Sequence, residues 1–166
     1  LILLAIPLIV LHCKAQIKPL YIGTSTEGES KGIYKIDFNT QTGELTNRIL
    51  ATEAKNPTFI AFSPNKKFIY AVGEGNEKSG ASSFKLNKEG KLHFINSVSS
   101  NGKGPCHVAV NETGTKAVIS NYGGGTISIY DINTDGSLND ASQIFDHNKG
   151  DKPARAHSAQ FHNNDL

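Results

Sequence analysis

The sequence predicts an all-β fold, a β-propeller built from four-stranded antiparallel blades. Three observations carry that prediction. Strand-like segments recur at a period of about fifty residues, apolar residues alternate with period two inside each segment, and turn residues separate the segments at matching places. No stretch after Pro19 shows the 3.6-residue periodicity of a helix.

Taken in order within one period, first strands begin alike at Pro57 (PTFIAFSP), Pro105 (PCHVAVNE) and Ala156 (AHSAQFH), 48 and then 51 residues apart. Each leads into polar turn residues such as Asn65-Lys66 or Thr113-Gly114. Second strands follow at Lys67–Val72 and Lys116–Ser120, and Leu20–Gly23 takes that place one period earlier, with Tyr21 and Tyr70 49 residues apart. Third strands read Gly32–Asp37, Ala81–Leu86 and Thr126–Asp131. Fourth strands follow Gly43, Gly90 and Gly136, each two residues before a leucine (Leu45, Leu92, Leu138). Glycine there supplies the positive φ that tight hairpins need. Four antiparallel strands per fifty residues make one propeller blade; a β-helix needs a shorter period, and a sandwich does not repeat its sequence. Aligning Tyr70 with Ala117 along the second strands makes Glu74 the counterpart of Asn121.

The 166 residues hold room for about three such blades, and Asp165-Leu166 falls in the turn after a first strand, so both ends are expected to be cut and the open arc to expose apolar faces. The chain also begins at Leu1 and contains no Met. Hydrophobic residues at 37% and charged residues at 19% exclude a disordered or continuously membrane-embedded chain. A net charge of +2 without any long basic run leaves no footprint for nucleic acid or an anionic membrane surface.

Residues 1–15 read as a signal-peptide-like segment whose start is missing. Leu1–Leu11 is an uninterrupted apolar run, too short to cross a bilayer as a helix, and Cys13-Lys14-Ala15 offers small residues for cleavage before Gln16. Lipidation of Cys13 is the alternative, weakened by His12. Residues 16–166 then form the partial propeller, exported to a bacterial periplasm or cell surface, with a cytoplasmic location as the alternative. Once Cys13 is removed, Cys106 is the single cysteine, so no internal disulfide forms.

The chain after Pro19 resembles the lactonase family of seven-bladed propellers, which includes bacterial 6-phosphogluconolactonases and fungal carboxymuconate cyclases. The resemblance is carried by Tyr21-Ile-Gly-Thr24, Gly104-Pro-Cys-His-Val-Ala-Val110, Ser120-Asn-Tyr-Gly-Gly-Gly-Thr126 and Ala156-His-Ser-Ala-Gln-Phe161. It implies a parent of seven blades, a hydrolase of carbohydrate metabolism opening a lactone without metal or cofactor, and a site at the mouth of the central channel. Such chemistry needs a base to deprotonate water, donors for the developing oxyanion, and, for a sugar phosphate, an Arg or Lys at the anionic end.

The resemblance makes His157 the first catalytic candidate, because imidazoles as a class titrate near neutrality and suit proton transfer. The alternative is a histidine that only bonds neighbouring blade backbones. Arg155 is the second, poised to hold a carboxylate or phosphate, or else an ordinary solvated loop arginine. Asn121 and Tyr122 are expected to orient a polar ligand from the Gly123-Gly124-Gly125 turn, which lacks the following Lys-Ser/Thr of a phosphate loop. His107 is a further substrate-binding candidate. It is offset by one from His157, since Cys106 aligns with His157, so burial between blades suits it better. Glu74 is expected to face solvent, and Thr24-Ser25 to add hydroxyls. No metal site is expected: His147, His157 and His162 are dispersed, and Asp131, Asp135 and Asp140 lie in a hairpin.

Two functions follow. One is a 6-phosphogluconolactonase-like hydrolase of a sugar lactone, with inactivity expected of an isolated arc. The other is a non-catalytic exported propeller that binds a ligand or a protein partner.

Overall fold

The computed structural model describes residues 16–74, 79–150, 152 and 154–162, with Glu74 and Ser79 described by their backbone alone. The signal-like segment, the side chain of Glu74 and Asp165-Leu166 lie outside the described residues.

Among the described residues, eleven strands form three antiparallel sheets, stacked so that neighbouring sheets meet face to face. The first holds β1 (Ile17–Ile22), β2 (Gly32–Asn39) and β3 (Leu45–Glu53). The second runs β4 (Phe59–Phe62), β5 (Phe68–Glu74), β6 (Ser79–Leu86), β7 (Leu92–Ser99) in spatial order. The third repeats it with β8 (Pro105–Val110), β9 (Lys116–Asn121), β10 (Thr126–Ile132) and β11 (Leu138–Asp146). These are propeller blades, with β4 lying against β8 at one edge and β7 against β11 at the other.

β5, the second strand of the middle blade, sits between the first and third blades and buries both faces, which explains why Phe68-Ile-Tyr-Ala-Val72 reads as a continuous apolar run. Ile69 and Ala71 join Phe84 and Leu92 against Ile33 and Ala51 of the first blade. The alternate residues Phe68, Tyr70 and Val72 pack on Val108, Ala117, Ile119, Tyr130 and Leu138 of the third. Each large side chain buried this way contributes about 1.5–3 kcal/mol.

Hairpins between third and fourth strands repeat one device. Gly43, Gly90 and Gly136 donate their N–H groups to the carbonyls of Asn39, Asn87 and Asn133, at φ of 76°, 81° and 89°. Polar clasps join the blades at their outer edges: Asn96 of β7 donates to the Leu138 carbonyl (2.7 Å) and accepts the Leu138 N–H (3.1 Å) of β11.

The structure corrects two expectations. Residues 154–161 form no strand, because this segment has no ladder partner among the described residues; only a single bridge falls at His162. Packing also shifts the second-strand alignment by one residue. Ile69 and Ala71 face the preceding blade as Ala117 and Ile119 do, so Ala117 matches Ile69 rather than Tyr70, and the pairs Gly73↔Gly80 and Thr126↔Asn121 then make Gly73 the counterpart of Asn121 in place of Glu74. Strand β8 carries a register shift between Pro105 and His107 against β9.

Candidate functional site

The site lies at the end of the third blade where β8 begins and β9 turns into β10. The turn of Tyr122–Gly125 closes with the Gly125 N–H on the Asn121 carbonyl (2.8 Å). It is tied to the preceding inter-blade loop by Tyr122 N–H to Gly104 (2.9 Å) and Gly124 N–H to Lys103 (2.9 Å). Gly125 sits at φ 65°, and a Cβ there would come within 2.4 Å of Asn148 Oδ1.

That close approach belongs to a brace. Asn148 donates Nδ2–H to the Gly124 carbonyl (2.8 Å) and accepts the Ala154 N–H on Oδ1 (2.8 Å). One amide side chain therefore fixes the glycine turn against the start of the 154–162 segment. Arg155 follows at φ 58°, a left-handed conformation uncommon outside glycine, which costs about 1–2 kcal/mol and recurs at functional sites.

Three of the residues expected from sequence meet here. The Arg155 guanidinium lies 5.1 Å from the centroid of the Tyr122 ring, within cation–π range. The His157 imidazole meets the same ring edge-on, 5.3 Å between centroids and 79° between planes. All three side chains are exposed to solvent. Together they set a cation, an aromatic face carrying a phenol, and an imidazole around one spot.

The other two expected residues are buried. His107 stacks on Phe59 of the second blade at 4.5 Å and faces Gln160, whose Nε2 lies 3.2 Å from His107 Nε2. An amide nitrogen only donates, so in this orientation Nε2 accepts and Nδ1 carries the ring proton. Burial first, and then the nearby His157, hold the His107 pKa below the ordinary imidazole value. His107 is thus a neutral inter-blade contact beneath the exposed group. Asn121, expected to orient a ligand, is wholly buried, and donates its amide to the Ser100 carbonyl (2.8 Å) and to Thr126 Oγ1 (3.0 Å). It secures the loop below the turn.

Sequence reasoning missed Asn148 and gave Cys106 no role. The Cys106 thiol contacts the His157 carbonyl (3.2 Å), pinning the backbone of the 154–162 segment to β8, and burial raises its pKa. Asn148 carried no signal, since its bond to the Gly124 carbonyl joins residues 24 apart in sequence. Thr24 donates to the Gly32 carbonyl in the first blade and is not near this site. Among the described residues no cluster of three or more His, Cys, Asp or Glu could hold a metal, and no helix is long and apolar enough to cross a membrane.

Comparison with known proteins agrees with this architecture. The family model described as "Lactonase, 7-bladed beta-propeller" matches residues 19–166. A 6-phosphogluconolactonase of Bacillus subtilis (strain 168) is 32% identical over 119 residues, covering 71% of this chain and 34% of that protein. A solved structure from Bacteroides uniformis, to which 6-phosphogluconolactonase activity is attributed, superposes with a TM-score of 0.72 at 37% identity, over 78% of this chain and 37% of that one. A Bacteroides fragilis protein with the same attribution gives 0.73 at 34% identity, over 84% and 39%. The periplasmic gluconolactonase of Pseudomonas aeruginosa shares the fold, with a TM-score of 0.73 at 24% identity, over 78% of this chain and 39% of that one. The chain thus spans little more than a third of the length of these relatives. With the repeat, the stacked blades and a family match across nearly all of its described residues, the chain belongs to the lactonase family of seven-bladed β-propellers.

Proposed function

We propose that Tyr122, Arg155 and His157 form part of a lactone-hydrolysing site acting on a sugar lactone. The observation that carries this reading is the convergence of Arg155 and His157 on one exposed phenol. His157 takes a proton from water as the water oxygen bonds to the lactone carbonyl carbon, giving a tetrahedral oxyanion. That intermediate collapses by breaking the ring C–O bond. The leaving alkoxide takes the proton back from the imidazolium, and the product is the open hydroxy acid. Arg155 holds the anionic end of the substrate, and the Tyr122 hydroxyl orients the ring. Asn121, Asn148 and His107 act as positioning residues through the turn, the 154–162 segment and the packing beneath His157.

A phosphorylated lactone gives Arg155 its strongest partner, whereas the apolar run of residues 1–11 supports export and a substrate met outside the cytoplasm. The protein expressed from its whole gene distinguishes these. Lactone opening is followed by acid release, with gluconolactone and its 6-phosphate as separate substrates. Hydrolysis well above the spontaneous rate supports the reading. A larger loss on the 6-phosphate than on gluconolactone in Arg155→Ala places the phosphate on that side chain. Absence of catalysis on both lactones by well-folded protein overturns the lactonase reading in favour of a ligand-binding propeller.

A further inference from the structure

The boundary between the first and second blades contains a recess of about 260 Å³ that the boundary between the second and third fills. The repeat explains the difference. In the filled boundary, Asn121 and Ser128 both donate to the Ser100 carbonyl (2.8 and 2.9 Å), and the Tyr130 hydroxyl donates to the Ser99 carbonyl (2.7 Å). Strand register gives their counterparts one blade earlier: Gly73 for Asn121, Ser82 for Ser128 and Phe84 for Tyr130. Two polar groups that close the later boundary, an amide and a phenol hydroxyl, are therefore missing from the earlier one, while the serine remains. A side chain at Gly73 is also excluded, because its Cβ would come within 2.4 Å of the Asn56 carbonyl.

The lining of the recess is chemically mixed. Phe84 and Phe94 meet edge to face at 5.9 Å and form an apolar wall, and Phe94 is 61% exposed, the most exposed of the large hydrophobic side chains described. Ser82 and Ser97, cross-strand partners on β6 and β7 with hydroxyls 3.4 Å apart, present two hydroxyl groups beside it. Glu53 and Lys55 stand at the lip and balance each other in charge. A wall of aromatic carbon, paired hydroxyls and a carboxylate suit a ring with one apolar C–H face and a rim of hydroxyl groups. The balanced lip provides no net cation for a phosphate, and the hydroxyls do not suit a lipid chain.

The geometry points to this recess as a binding site for a neutral sugar ring, of monosaccharide size, stacked on Phe94 with its hydroxyls on Ser82, Ser97 and Glu53. It is separate from the Tyr122–Arg155–His157 cluster and does not depend on that cluster's being a lactonase site.

Saturation-transfer difference NMR tests this on the protein expressed from its whole gene, with the methyl glycosides of glucose, galactose, mannose and N-acetylglucosamine as probes. Substitutions at exposed positions keep the core intact: Phe94→Ala removes the wall, and Ser97→Trp fills the recess. The expected result is saturation of the ring protons of at least one glycoside, retained in His157→Ala and falling to baseline in both recess variants, each with an unchanged thermal midpoint. No saturation of any of the four by folded wild-type protein overturns the proposal. So does saturation that survives both recess variants, or that is lost in His157→Ala alone. A recess variant that unfolds is replaced by Phe94→Leu, which keeps apolar volume without the ring and must lose the signal equally.

Discussion

The Tyr122 ring contacts both Arg155 and His157, with its centroid 5.1 Å from the guanidinium carbon and 5.3 Å from the imidazole centroid. Both contacts use the ring and neither uses the hydroxyl. Tyr122→Phe therefore leaves Arg155 and His157 in place, while Tyr122→Ala releases both. An exposed cation–π contact is worth about 0.5–1 kcal/mol, so Tyr122→Ala is expected to lower kcat/KM for lactone opening by about two- to fivefold through Arg155 alone. Steady-state kinetics of the two variants read this, and equal losses would assign the effect to the hydroxyl.

Asn148 holds the glycine turn and Ala154 at the same time. Asn148→Ala removes both of these hydrogen bonds, and a third to Asp146, and is expected to cost about 1–2 kcal/mol in stability, with a fall in kcat/KM larger than that of a distant surface substitution. Urea unfolding and kinetics on the same preparation check both. A stability loss with unchanged kcat/KM would show that the brace does not place Arg155.

His107 is buried against Phe59 and Gln160, and its folded pKa lies below its unfolded one. The unfolded chain thus binds the proton more readily. Stability is full above the ordinary imidazole pKa near 6.5 and is lost as pH falls from there through the lower folded pKa. Unfolding midpoints measured from pH 8 down to pH 5 are expected to fall less steeply in His107→Gln than in wild type.

Tyr70 gives the opposite limb. Burial, helped by the charge of Asp135, pushes its phenol up to about 12, and the hydroxyl has no protein hydrogen-bond partner among the described residues. The neutral form is favoured by the fold, so its stability contribution is full below pH 10 and is lost as pH rises toward 12. Tyr70→Phe removes no protein hydrogen bond and is expected to be at least as stable as wild type at pH 7, with a shallower alkaline decline. Thermal midpoints at pH 7 and pH 11 measure it.

Much of this architecture was legible in the sequence because β5 is buried on both faces and the hairpin turns repeat their glycines. Phe68–Val72 and Gly90 announce themselves without any tertiary information. The convergence of Tyr122, Arg155 and His157 was only partly legible: the resemblance named the residues, but their meeting depends on the Asn148 brace and the left-handed backbone at Arg155. The alignment of β9 with β5 was misread by one residue because both carry a continuous apolar run, Ala117–Ile119 and Phe68–Val72, which removes the alternation that fixes a face. The packing of Ala71 and Ile119 restores it. Nothing in a one-dimensional repeat distinguished buried Asn121 from exposed Tyr122, since that difference comes from the Ser100 carbonyl reached across the blade boundary.

The central claim is that His157 handles the proton in lactone opening, and kcat for gluconolactone and its 6-phosphate in His157→Ala tests it most directly. General-base catalysis contributes about 10²–10⁴-fold, so the account predicts a fall of at least about a hundredfold in kcat for whichever lactone the wild type opens, in a variant with wild-type thermal stability. A wild-type kcat in that variant would contradict it.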